Sequence, residues 1–100
     1  MLESALENYL VKQCKDKKLF LRKVRWVGRR GAPDRLLNGV FIELKGPNGK
    51  LADHQAREIA RMRDAGMRVE IISDKDHLDG VIDEVCSKRL SVVDNRPHKK

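Results

Sequence analysis

A chain of 100 residues carries one domain, long enough to bury roughly two-thirds of its unfolded surface without disulfides or a structural metal. Its 22 basic and 15 acidic residues give a net charge of +7 and an isoelectric point near 9.7, a field that attracts polyanions, nucleic acid first among them. Aromatic residues make up only 4%, which argues against domains that stack bases on several rings, and no segment pairs a Lys/Arg face with a Trp/Phe face as a membrane-surface helix does.

Residues 2–17 read as a helix, with Leu2, Leu6, Leu10 and Cys14 forming an i, i+4 ladder. Glu3 and Glu7 fall inside that apolar arc, where a carboxylate is costly unless something pairs with it. They also interrupt any signal-peptide pattern, and no apolar run approaches the roughly 20 residues that span a bilayer. Residues 19–27 (LFLRKVRWV) look like a strand with Phe20, Val24 and Trp26 on one side. A loop holding Gly28 and Gly31 follows. A second strand begins near Leu36, turns at Asn38-Gly39 and returns as VFIELK, residues 40–45.

After the loop GPNG (46–49), a second helix is expected over about 52–65 with Gly66 as its stop, then a short strand over 68–73 with Val69 and Ile71 on one face. The last helix, about 76–89, carries Leu78, Val81, Ile82, Val85 and Cys86, with Lys88 and Arg89 complementing its dipole near the end. Residues 91–100 read as a polar, basic tail, expected to be disordered, beyond a domain over 1–90. Cys14 and Cys86 sit at apolar helical positions with no CxxC spacing, so buried thiols are expected. The element order α-β-β-β-α-β-α describes an α/β domain, a mixed sheet flanked by helices.

Alternation on VFIELK puts Val40, Ile42 and Leu44 on one face and Phe41, Glu43 and Lys45 on the other. Taken alone, Glu43 and Lys45 would pass for a solvated strand face with an ion pair. Asp34 changes that reading. It follows Pro33, and it and Glu43 are equidistant from the Asn38-Gly39 turn, which makes them near-direct cross-strand partners. Facing carboxylates destabilise a sheet. A divalent cation between them removes the penalty, and oxygen ligands suit a hard ion, magnesium or manganese, rather than zinc. Lys45 on the same face could then orient or polarise a water for attack.

Pro33-Asp34 followed by Glu43-Leu44-Lys45 matches the PD-(D/E)XK signature of a nuclease superfamily. With ESALENYLV, GRRGAPDRL and VFIELKGPNGKLADHQ in this order, residues 3–85 resemble the VRR-type nuclease domain (VRR-NUC), found alone in phages and bacteria. The resemblance implies a restriction-endonuclease-like core and a DNA endonuclease dependent on Mg2+ or Mn2+. Asp34 and Glu43 would hold the metal with the backbone carbonyl of Leu44, while Lys45 would position the nucleophilic water. Glu7 looks like a further, helical metal ligand, and Glu3, one turn earlier, is its rival. Gln55 lies within about 40° of inward-facing Ile59 on the second helical wheel. The resemblance sets it beside Lys45, whereas His54 is expected to point to the surface.

Arg22, Lys23, Arg25, Arg29, Arg30 and Arg35 crowd one stretch before the motif. Arg22, Arg25, Arg29, Arg30 and Arg35, with Lys50, are candidate DNA contacts. Standalone members of this family resemble Holliday-junction resolvases, which implies a homodimer acting on branched DNA in the cytoplasm of a bacterium or a phage-infected host, with no membrane role. The alternatives at this stage are a basic nucleic-acid-binding module without catalysis and a phage accessory protein that keeps the fold for interactions.

Overall fold

The ladder of Leu6, Leu10 and Cys14 is buried along helix α1 (Glu3–Lys17), in a computed structural model that describes the backbone of residues 1–94 and the side chains of residues 1–88. Strand β1 (Leu21–Lys23) is shorter than the expected 19–27. Its ladder ends where the Val24 amide donates to the Asp34 carbonyl at 2.9 Å. Trp26 then donates its indole N–H to the Pro33 carbonyl (2.7 Å) and rests against Phe41, ring centroids 5.6 Å apart, so residues 24–34 form a clamped loop instead of a longer strand.

Strands β2 (Arg35–Leu37) and β3 (Val40–Leu44) are joined by Asn38-Gly39 with φ of 46° and 87°. Both turn residues are left-handed, the geometry that matches strand twist in a two-residue hairpin. The register Arg35↔Ile42, Leu36↔Phe41, Leu37↔Val40 is the one the turn implies. Asn38 also ties the hairpin to β1: its amide donates to the Phe20 carbonyl (2.9 Å) and its Oδ1 accepts from the Phe20 amide (2.8 Å).

Helix α2 (Asp53–Asp64) stops at Gly66, whose φ of 92° lets the Met67 amide reach the Met62 carbonyl (3.0 Å) and its own amide reach that of Arg63 (2.9 Å). The chain returns as β4 (Val69–Ile72), parallel to β3. Helix α3 (Lys75–Asp94) begins with the Asp74 side chain accepting from the His77 amide at 2.8 Å. It runs past the expected end at 89, so no basic residue lies in its last turn; Lys88 pairs with Glu84 at 3.0 Å. The first residues of the expected tail are thus helical, and 95–100 lie outside the described residues.

The sheet order is β1-β2-β3-β4, antiparallel except for β3–β4. Alternation along β3 divides the core. Val40, Ile42 and Leu44 join Leu6, Leu10, Leu78, Val81, Ile82 and Val85 under α1 and α3, and Phe41 packs with Ile59, Met62 and Val69 under α2. Both cysteines are free: Cys14 is buried and Cys86 half-buried against the larger core. Burial pushes the Cys14 thiol up to about 11. Among the described residues no helix is long and apolar enough to cross a membrane.

Candidate active site

Where β3 emerges from the sheet, a cavity of about 420 Å³ opens between α1, the start of β2 and the first turn of α2. Glu3 and Glu7 line it from α1, Asp34 and Arg35 from β2 and its approach, Glu43 and Leu44 from β3, and His54 and Gln55 from α2; Lys23, Gly31 and Ala32 complete the wall. The β2–β3 pairing, continued one residue past Arg35↔Ile42, sets Asp34 opposite Glu43.

Glu43, Lys45 and Gln55 form one hydrogen-bonded group. Lys45 Nζ lies 3.5 Å from Glu43 Oε2 and donates to Gln55 Oε1 at 3.1 Å, and Gln55 Nε2 donates to Glu43 Oε2 at 3.2 Å. The same Oε1 accepts from the Ala52 amide (2.9 Å), the half of a capping box that Gln55 supplies while Ala52 has no side-chain oxygen to return. Two donors on Oε1 fix which way the amide faces and aim its N–H at the carboxylate. Burial pushes the Glu43 carboxyl above the usual carboxylate range; Lys45 pulls it down, and the charges of Asp34 and Glu3 add to the rise.

Glu7 lines the cavity in an ion pair with Arg35. Arg35 alternates toward α1, is buried there, and its guanidinium holds the Glu7 carboxylate and, at 3.0 Å, Asp34 Oδ1. The carboxylate that looked out of place on an apolar arc has an ion-pair partner, and the helical charge felt by Glu43 is that of Glu3. Arg35, a candidate DNA contact, is thus buried at the cavity wall between the carboxylates of Glu7 and Asp34.

Other basic candidates divide as well. Arg29 is tied to Glu58 at 3.1 Å, and Arg22 lies over the Phe20 ring, 4.1 Å from its centroid. Arg25, Arg30 and Lys50 are exposed, with no ion-pair partner among the described residues. One cavity side chain was set aside by the sequence reading. His54, expected at the surface, is half-buried in the wall, because close docking of the Gly31 loop onto α2 (a Cβ at Gly31 would lie 2.7 Å from the His54 carbonyl) encloses that turn. Lys23, one of the basic stretch before the motif, reaches the wall from β1.

The VRR-NUC domain model matches residues 19–75, more than half the chain. The chain belongs to the VRR-NUC domain family. A protein named "Putative nuclease p44", from Acyrthosiphon pisum secondary endosymbiont phage 1, is 35% identical to this VRR-NUC chain over 79 residues, covering 74% of it and 85% of the phage protein. A solved structure titled "VRR_NUC domain" aligns with a TM-score of 0.70 at 30% identity, covering 81% of this chain and 94% of that one. The mixed four-stranded sheet with three helices is thus the fold of a VRR-NUC nuclease domain.

The donor set of this VRR-NUC domain bears on which ion it suits. Among the described residues no three His, Cys, Asp or Glu side chains come together to cage an ion. Magnesium is ordinarily held by one or two carboxylates, with waters and substrate phosphate oxygens filling the shell. Asp34 and Glu43, two oxygen donors in an open polar cavity, fit that mode and do not fit a closed zinc site.

Proposed function

We propose that this protein is a divalent-metal-dependent endonuclease that hydrolyses phosphodiester bonds in DNA, prefers branched DNA such as four-way junctions, and acts as a homodimer. The observation that carries the reading is the convergence of Asp34, Glu43 and Gln55 on one cavity of a strongly basic domain, with Lys45 bound to Gln55 and paired with Glu43. Asp34 and Glu43 would hold Mg2+ or Mn2+ with the Leu44 carbonyl, and such an ion would supply Lewis-acid stabilisation of charge on the scissile phosphate. Lys45, locked by Gln55 and Glu43, presents a fixed ammonium to the attacking water and to that phosphate, so little reorganisation is needed as charge develops. Glu7 and Glu3 both offer a helical carboxylate to this chemistry, Glu7 in its ion pair with Arg35 and Glu3 through the charge it exerts on Glu43. Lys23, Arg25, Arg30 and Lys50 are the cations left to grip phosphates.

A homodimer would suit that substrate on symmetry grounds: one cavity cuts one strand, and paired incision at a two-fold junction needs two related copies. The test is cleavage of a four-way junction and a linear duplex with magnesium, with manganese and with chelator. Asp34→Ala should abolish cleavage while chelator-phase DNA binding persists. Full activity in that variant, or cleavage in chelator, would overturn the assignment.

A further inference from the structure

Val27 is 90% exposed, the most exposed large apolar side chain among the described residues. It does not hang from a slack loop. Residues 24–34 are pinned by the Val24–Asp34 backbone bond, by Trp26 on the Pro33 carbonyl, by Arg29 on Glu58 and by Gly31 against the His54 carbonyl. A loop so firmly held would lose nothing by placing a polar residue at 27, yet it presents a stiff β-branched hydrophobe beside Gly28, whose φ is 82°. Arg25 and Arg30 stand exposed on either side.

Lys23, just before this segment, and Gly31, within it, are on the cavity wall. Val27 is four residues from each, so it lies at most about 14 Å along the chain from the wall. At ~3.4 Å per base step that is about four steps of a duplex seated on the cavity. An apolar tip framed by guanidinium groups has the chemistry of side chains that part a base step while Arg and Lys hold the flanking phosphates.

We propose that Val27 is an apolar wedge, pressed by the clamped loop 24–34 between two stacked bases of bound DNA within about four steps of the cut. It rests on the nuclease reading for the place of the cut, not for the insertion. Unstacking costs least where pairing is already interrupted, so the wedge supplies a preference for junctions, mismatches and nicks without any base-specific contact.

The test separates the two readings by working first in chelator. A four-way junction and a linear duplex of shared sequence, each with 2-aminopurine near the centre, are titrated with wild type, Val27→Ala and Val27→Leu. Wild type should bind the junction more tightly and raise 2-aminopurine fluorescence. Val27→Ala should keep duplex affinity, lose the fluorescence rise and lose about tenfold in junction affinity, the worth of two buried methyl groups. Val27→Leu should retain both signals. At so exposed a position, Val27→Ala should melt at the wild-type temperature. Unchanged junction binding and fluorescence in Val27→Ala overturns the wedge, as does an equal loss on both DNAs. A fall in mass by light scattering on Val27→Ala also overturns it, marking Val27 as a contact between copies. Intact fluorescence with no cleavage in magnesium or manganese would refute the nuclease reading and leave the wedge standing.

Discussion

Half-buried beside an ammonium and within the field of two further carboxylates, Glu43 sits where burial and like charge outweigh the attraction of Lys45. Because its folded pKa lies above its ordinary value, the fold favours the neutral acid. That contribution is complete below the ordinary value of 4.5 and is lost as pH rises through the folded one. Glu43→Gln, permanently neutral, is therefore expected to match the wild-type melting temperature near pH 3 and exceed it near pH 8 in chelator. A melting temperature below wild type at both pH values would show that the Lys45 pairing dominates instead. At this scale the sequence was most legible where alternation alone fixed direction, as for Glu43 on β3 and Lys45 just past its end. It was least legible for Glu7, whose partner Arg35 lies 28 positions away and is brought to it by the packing of α1 on the sheet.

Among the elements, β4 and α3 are joined by a polar clamp rather than by apolar packing alone. Arg68 donates two bonds of 2.7 Å to the Glu84 carboxylate and a third of 3.1 Å to Glu70, which also meets His77 at 3.0 Å. The Arg68 guanidinium, with help from Lys88, holds the Glu84 carboxyl down at about 2, against an ordinary value of 4.5. A depressed acid stabilises the fold above its ordinary pKa, and that contribution is lost as pH falls toward the folded value. Glu84→Gln should thus lower the melting temperature at pH 7, and the gap should close between pH 4.5 and about 2. A gap that stays constant across that range would mean the loss is one of packing, not of charge. The strand and helix were both read from sequence, but the clamp was not: residues 16 apart meet only because α3 folds back along β4, the edge strand parallel to β3.

For the whole molecule, the proposed metal and the fold are thermodynamically linked. An ion that binds the native cavity and not the unfolded chain should add about 2.7 kcal/mol at 100 times its Kd, or roughly ten degrees or more in Tm for a domain of this size. Saturating magnesium or manganese should raise the wild-type Tm accordingly and leave Asp34→Ala unmoved. Indifference of the wild type to both ions would remove the metal from the proposal. The dimer is checked separately, by light scattering at micromolar concentration, which should report about twice the 11.5 kDa chain mass.

By itself the sequence determined the hairpin register, the faces of β3 and the order of the elements. All of these follow from local periodicity and from Asn38-Gly39, which act over a few residues. Tertiary structure decided that Arg35 is buried against two carboxylates, that the exposed Arg29 holds Glu58, that His54 and Lys23 line the cavity, and that residues 24–34 form a clamped loop with Val27 at its surface. Those outcomes depend on which distant groups compete for the same charge or hydrogen bond, and that competition is resolved only when α1, α2 and the sheet pack together.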